Sequence, residues 1–217
     1  MKILVTSGGT REKIDDVRVL TNISTGKLGA KIASTLSVCG HNVIYLHTKG
    51  AVLPGTGCRL VEIDTVSELK EQMEKLVKEV DVVVHSMAVS DFGFTPTNEK
   101  LSSKDPMAFI ESLKSRIVIH PKVISHIKEW NPNVILFGFK FTVGKTLDER
   151  YEIVKESFEK NKCDFILSND KKEMVDSGTH KAILFDKDMN GIELNDKSEI
   201  AHTILKTIEI SNTKLIG

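Results

Sequence analysis

Short apolar runs that read as strands alternate with stretches of helical periodicity along most of the chain. That alternation restricts the possible folds more than any other feature. Strands are predicted at Lys2–Thr6, Asn42–His47, Arg59–Ile63, Asp81–His85, Val134–Lys140 and Asp164–Ser168. Helices are predicted at Lys27–Val38, Val66–Val80, Pro121–Trp130, Asp148–Asn161 and Ser198–Ile210. The first helix places Leu28, Ile32, Ala33 and Leu36 on one face, the stripe a core-facing helix presents. The second opens with Thr65-x-x-Glu68, a capping-box pattern, and turns Leu69, Met73 and Leu76 inward. Strands and helices in this order build βαβ units around a parallel sheet. The unbroken run Val82-Val83-Val84 suits a strand covered on both faces. The expected fold class is therefore α/β: a Rossmann-like, mainly parallel sheet flanked by helices, with residues 1–217 as a single domain. Two segments interrupt the pattern. Residues 92–120 carry Pro96, Asn98, Ser102-Ser103 and Pro106 and read as a long inserted arm, far longer than an ordinary connection. Ile183 to Leu194, with Asp188-x-Asn190-Gly191 at its centre, reads as a C-terminal β-hairpin.

Charge narrows the function. The 30 Lys+Arg are balanced by 30 Asp+Glu, which argues against a protein whose main work is gripping nucleic acid or an anionic membrane. The apolar start Ile3-Leu4-Val5 is too short for a secretory signal, and Val134 to Phe139 is far short of a membrane span of about 18 residues. Cys39, Cys58 and Cys163 form no C-x-x-C pair and suggest a reducing compartment, so a cytoplasmic location is expected. The histidines show neither H-x-x-x-H nor H-E-x-x-H spacing, and no protein metal site is expected.

Four segments could carry chemistry. The first strand runs into Ser7-Gly8-Gly9-Thr10-Arg11, where small residues let backbone N–H groups approach an anion. This is neither G-x-G-x-x-G nor a G-x-x-x-x-G-K-[ST] phosphate loop. The following helix is delayed by a long polar stretch ending in Asn22-x-Ser24-Thr25-Gly26, which places hydroxyls and free N–H groups at a helix start. Ordinary capping would account for one of those hydroxyls, but not for the length of the loop. Asn22 offers both a donor and an acceptor. Ser86-Met87-Ala88-Val89-Ser90-Asp91 follows a central strand, at the end where ligands bind open parallel sheets. Finally, Lys100 within the arm could close over a polyphosphate, although a solvated charged loop would look the same.

In combination these segments resemble the phosphopantothenate–cysteine ligase (phosphopantothenoylcysteine synthetase) family. The carrying motif is Ser7-Gly8-Gly9-Thr10-Arg11-x-x-Ile14-Asp15-x-Val17-Arg18, then Asn22-x-Ser24-Thr25-Gly26-Lys27-x-Gly29. Met87-Ala88-Val89-Ser90-Asp91, Glu99-Lys100, Gly138-Phe139-Lys140 and Ser168-Asn169-Asp170 follow in the family's order. The length resembles a stand-alone bacterial form. The resemblance implies attack of the 4′-phosphopantothenate carboxylate on the α-phosphate of CTP, with Mg²⁺, followed by aminolysis of the acyl-cytidylate by cysteine. It implies catalytic roles for Asn22 and Lys100. Gly8, Gly9, Thr10, Asn22, Ser24, Thr25 and Gly26 would bind the acid substrate. Ser86, Met87, Asp91, Lys100, Pro121, Lys122, Val123, Ile124, Phe139 and Lys160 would bind the nucleotide. It further implies a homodimer in which the arm reaches the partner subunit.

Two other readings stay open on sequence alone. An NAD(P)-dependent oxidoreductase would need a third glycine and an acid ending the second strand, where His47-Thr48-Lys49 stands instead. A non-catalytic nucleotide-binding regulator would keep the pocket without turnover.

Overall fold

The computed structural model describes residues 1–216, with side chains described through residue 212. An eight-stranded sheet forms its centre. In chain order its strands are β1 (Lys2–Ser7), β4 (Asn42–Thr48), β5 (Cys58–Ile63), β6 (Val82–His85), β9 (Ile135–Thr142), β10 (Phe165–Asp170), β11 (Ala182–Asp186) and β12 (Gly191–Leu194). Two short pairs lie outside it, β2 (Arg11–Lys13) with β3 (Val19–Thr21), and β7 (Phe92–Phe94) with β8 (Ile117–Ile119). The helices are α1 (Lys27–Val38), α2 (Val66–Leu76), α3 (Pro106–Lys114), α4 (Val123–Trp130), α5 (Leu147–Asn161), α6 (Lys171–Ser177) and α7 (Lys197–Ile216).

The spatial order is β12-β11-β10-β9-β6-β1-β4-β5, parallel from β5 through β10 and antiparallel in the β11–β12 hairpin. The chain leaves β1 toward β4 and β5, then returns to the other side of β1 at β6. The strand order therefore reverses between β1 and β6, where the carboxyl ends of a doubly wound sheet open a crevice for ligands.

Each face of the sheet carries its own apolar layer, as the unbroken apolar strands require. Ile32, Leu36, Ile204 and Ile208 of α1 and α7 cover one face. Leu69, Met73, Ile127 and Val154 of α2, α4 and α5 cover the other. The capping box at Thr65 and Glu68 forms as read, and a second closes α5 at Thr146 and Glu149.

Several boundaries differ from the sequence expectation. The helix expected over Val66–Val80 ends at Leu76 and continues as a single 3-10 turn over Val77–Glu79. α4 begins at Val123 rather than Pro121, because Lys122 has extended backbone, φ −70° and ψ 101°, and is itself the N-cap. The last helix runs to Ile216 rather than stopping at Ile210. The arm holds its own strand pair and a helix, α3, none of whose residues is buried.

Candidate active site

Two clefts open at the carboxyl edge of the sheet, beside the reversal point. One lies on the α4–α5 face and encloses about 390 Å³. The other lies on the α1–α7 face and encloses about 450 Å³. Both are lined by Met87 and Phe139, so they meet over the ends of β6 and β9.

The first cleft contains Met87, Asp91, Pro121, Lys122, Val123, Ile124, Phe139 and Lys160, all expected at a nucleotide. It also contains His85, Lys140, Ser157 and Asn161, which sequence reasoning did not assign. Its charge is set by Lys122, Lys140 and Lys160. Lys122 pairs with Asp91, and Lys160 pairs with Glu156; all four side chains are well exposed. Exposed pairs of this kind are worth about 0–1 kcal/mol, so an incoming phosphate can displace either carboxylate at small cost. Lys140 is half-buried; burial and the neighbouring Lys122 and Lys160 charges hold its ammonium below the usual lysine range, against the opposing pull of Glu156. An anion placed among the three lysines relieves that repulsion. His85 is buried, and burial lowers it to about 4, so it is neutral near pH 7, with Nδ1 at 2.9 Å from the Thr6 hydroxyl.

The second cleft is lined by Ser24, Thr25 and Gly26, residues that the sequence reading assigned to the acid substrate. The helix start differs from that reading in one respect. Gly26 itself is the N-cap of α1, with φ 72°, and no side chain caps the helix. The Ser24 and Thr25 hydroxyls do not close this end of α1 in the way a capping residue does. The left-handed backbone at Gly26 is what permits the sharp entry, and glycine adopts it without strain. Gly29, one turn on, packs flush on β1 and β6; a side chain there would meet Ser7 at 2.4 Å. The far wall of this cleft comes from Phe141, Asn169, Met174, His180 and Lys197. None of these was assigned a site role from sequence: Phe141 and Asn169 come from β9 and β10, and Met174, His180 and Lys197 come from α6, the connection after it and the start of α7, which reach the cleft only through the tertiary fold.

Ser86 was expected among the nucleotide residues but lines only the second cleft. At the end of β6 successive side chains alternate between faces. His85 consequently faces α4 and α5, while Ser86 faces α1 and donates to the Thr6 carbonyl at 2.6 Å. Gly8, Gly9 and Thr10 are buried and line neither cleft. The Thr10 N–H is committed to the Ala88 carbonyl at 3.1 Å, and the Gly8 carbonyl accepts from Ala88 at 2.8 Å. Asn22 is exposed, sits against Gly9 and lines neither cleft. Lys100 is exposed on the arm and also lines neither.

The motif Ser168-Asn169-Asp170 serves both scaffold and cleft. Ser168 receives the buried Arg150 guanidinium through its hydroxyl and carbonyl. Asp170 caps α6 and accepts from the Thr142 hydroxyl and the Gly144 and Lys145 amides. Burial alone would raise the Asp170 carboxyl, but these donors take it well below the ordinary carboxylate range. Among the described residues no group of three or more His, Cys, Asp or Glu is placed to hold a metal ion. No described helix is long and apolar enough to cross a membrane.

Comparison with known proteins agrees with this architecture. The family model described as the DNA/pantothenate metabolism flavoprotein C-terminal domain matches residues 1–211. The coenzyme A biosynthesis bifunctional protein CoaBC of Thermococcus kodakarensis is 32% identical over 212 residues, covering 96% of this chain and 51% of that protein. The chain thus spans about half the length of the curated relatives it matches. The crystal structure of the DNA/pantothenate metabolism flavoprotein from Streptococcus pneumoniae superposes with a TM-score of 0.85 at 35% identity, covering 97% of this chain and 99% of that one. A Cab2 mutant in complex with phosphopantothenate-cysteine shares the fold, with a TM-score of 0.77 at 15% identity over 98% of this chain and 88% of that one. The chain belongs to the family of the DNA/pantothenate metabolism flavoprotein C-terminal domain.

Proposed function

We propose that this chain joins 4′-phosphopantothenate to cysteine, through an acyl-cytidylate made from CTP, as a step of coenzyme A biosynthesis. The observation that carries the proposal is the pair of clefts meeting at Met87 and Phe139, one lined by Lys122, Lys140 and Lys160. A two-substrate ligation needs that geometry, because the carboxylate of one molecule must reach the α-phosphate of the other. The nucleotide occupies the first cleft with its phosphates among the lysines. The acid substrate lies in the second cleft and presents its carboxylate at the shared edge.

In the first step a carboxylate oxygen bonds to the α-phosphorus and the bond to pyrophosphate breaks. In the second, the neutral cysteine amine bonds to the acyl carbon, CMP leaves with the carboxyl oxygen, and the surplus amine proton passes to solvent. Both steps concentrate negative charge, so fixed cations contribute more than a protein nucleophile would. Asn22, from the segment that opens α1, is assigned to the acyl carbonyl, and Lys100 to the triphosphate. Mg²⁺ is implied by the family resemblance, but the described side chains offer it no cage. In this reading its ligands are phosphate oxygens and water, a coordination magnesium commonly keeps.

The arm exposes Phe92, Met107, Ile117, Val118 and Ile119, an apolar surface that supports assignment of a homodimer through this segment. Three free cysteines suit a cytoplasmic residence. The oxidoreductase alternative has no ribose-binding acid, since β4 ends Leu46-His47-Thr48.

Mass spectrometry of the reaction mixture tests the proposal. Phosphopantothenate and CTP without cysteine should give the acyl-cytidylate mass, and added cysteine should convert it to the amide and CMP. Lys100→Gln should suppress the first mass while leaving the fold intact. Failure of the wild type to form either species would return the chain to a nucleotide-binding module without turnover.

A further inference from the structure

The hairpin formed by β2 and β3 does work that the ligation scheme has not used. It runs from Arg11 to Thr21 and ends beside Asn22. Its turn holds Asp15, whose side chain is completely buried. The two carboxylate oxygens divide their partners. Oδ1 accepts from the amides of Val17 at 2.9 Å and Arg18 at 2.8 Å, closing the turn. Oδ2 accepts from Arg18 Nη1 at 2.9 Å and from the Leu101 amide at 3.1 Å, which lies in the arm. Arg18 extends the grip, donating to the Leu101 carbonyl at 3.3 Å and the Ser103 hydroxyl at 3.4 Å, and stacking 4.8 Å over the Phe109 ring. Both backbone groups of Leu101, the residue after Lys100, are therefore held by one ion pair.

We infer that Asp15, through its own bond to the Leu101 amide and through Arg18, is the positioning residue that latches the arm at Leu101 and so fixes where Lys100 works; this rests on the ligase reading. The connection from Phe94 to Pro106 is otherwise long and solvent-exposed. An anchor beside the lysine removes chain entropy that would have to be lost at each turnover. Burial on its own would raise the Asp15 carboxyl, but the amides of Val17, Leu101 and Arg18 and the guanidinium hold it below the ordinary range, so the latch stays charged near pH 7. The same hairpin leads directly into Asn22, which places the two assigned catalytic residues on one continuous support.

Asp15→Asn separates the latch from the turn. With the amide oxygen at the Oδ1 position the turn keeps its acceptor, while the amide NH₂ at Oδ2 faces two donors and expels Leu101. Trypsin cleavage after Lys100 reads the latch without reference to activity. The variant should be cut there about tenfold faster, the scale expected when a charge-assisted bond is lost, while the melting temperature falls only by the roughly 3–6 °C that such a loss implies. Pyrophosphate release should fall about tenfold in Asp15→Asn, yet fall no further when Asp15→Asn is added to Lys100→Gln. Phe109→Leu, on a helix with no buried residue, should show the same pattern at about two- to threefold. Unchanged cleavage after Lys100, or losses that add in the double variant, would overturn the inference. A wild type that releases no pyrophosphate would sink the ligase reading, while the protease result would still decide whether Asp15 holds the arm.

Discussion

Replacing Gly29 by alanine is a demanding test of how the second cleft is built. Helix propensity alone predicts that Gly29→Ala stabilises α1 by roughly 0.8–1 kcal/mol. The packing predicts the opposite. A methyl group at Gly29 would lie 2.4 Å from Ser7 Oγ, 2.7 Å from Ser7 Cβ and 2.8 Å from Ser86 Oγ. Ser7 Oγ could rotate away, at the cost of its 3.0 Å bond to the Gly26 carbonyl, but Ser7 Cβ moves only with β1. The helix must therefore withdraw by more than half an ångström from a close-packed sheet, and overpacking of this kind costs about 1–3 kcal/mol. At the middle of its range the packing term outweighs the propensity term, leaving a net loss of about 1 kcal/mol. For a chain of this size that corresponds to a melting temperature lower by roughly 2–4 °C. Thermal unfolding followed by circular dichroism measures it, and combining Ser7→Gly with Gly29→Ala should recover about 1 kcal/mol beyond additivity. Because Gly26 moves with the helix, KM for phosphopantothenate should rise more than KM for CTP. A Gly29→Ala protein that melts at or above the wild-type temperature would refute the close-approach argument.

Three further outcomes follow from the site and its frame. Asn22→Asp places a carboxylate beside an anionic intermediate; like charges at contact cost several kcal/mol, so turnover should fall at least about a hundredfold with stability retained, and near-normal turnover would remove Asn22 from the reaction. Burial lowers His85 from 6.5 to about 4, so its contribution is intact above pH 6.5 and is lost as the pH falls toward 4, because the unfolded chain binds a proton that the folded chain refuses. Stability should drop by roughly 3 kcal/mol across that window, with His180 adding to the slope, and His85→Gln should flatten the denaturant-midpoint curve between those limits. Asp170→Ala leaves α6 uncapped and the Thr142, Gly144 and Lys145 donors without an acceptor, a loss of about 2–3 kcal/mol readable in a urea titration.

What the chain discloses before folding depends on the range of the interactions involved. β1, the valine run of β6 and the Thr65–Glu68 cap are local patterns, and each forms where the residues place it. The first cleft is nearly as legible, because ligand positions in a parallel sheet follow from strand ends, and Met87, Asp91 and Phe139 stand just there. Lys140 could have been found by the same rule, as the residue after Gly138-Phe139 at the end of β9. Three-residue strands such as β2, β3, β7 and β8 carry too little periodicity to read, and β8 is exposed at every position. Ser86 lines the second cleft and not the first because a one-residue step along a strand exchanges faces, and sequence does not say which face opens where. Asn169, Met174, His180 and Lys197 lie far along the chain from the Ser24–Gly29 segment that lines the same cleft. Asp15 belonged to the recognised motif, but its hold on Leu101 spans 86 residues and only the fold reveals it.

Pyrophosphate release from CTP, with and without phosphopantothenate, with and without cysteine, and again with ATP, bears most directly on the proposed ligation. Release that requires phosphopantothenate, proceeds at a low level without cysteine, continues with it, and strongly favours CTP is the predicted result. Release independent of phosphopantothenate, or none with either nucleotide, would contradict it.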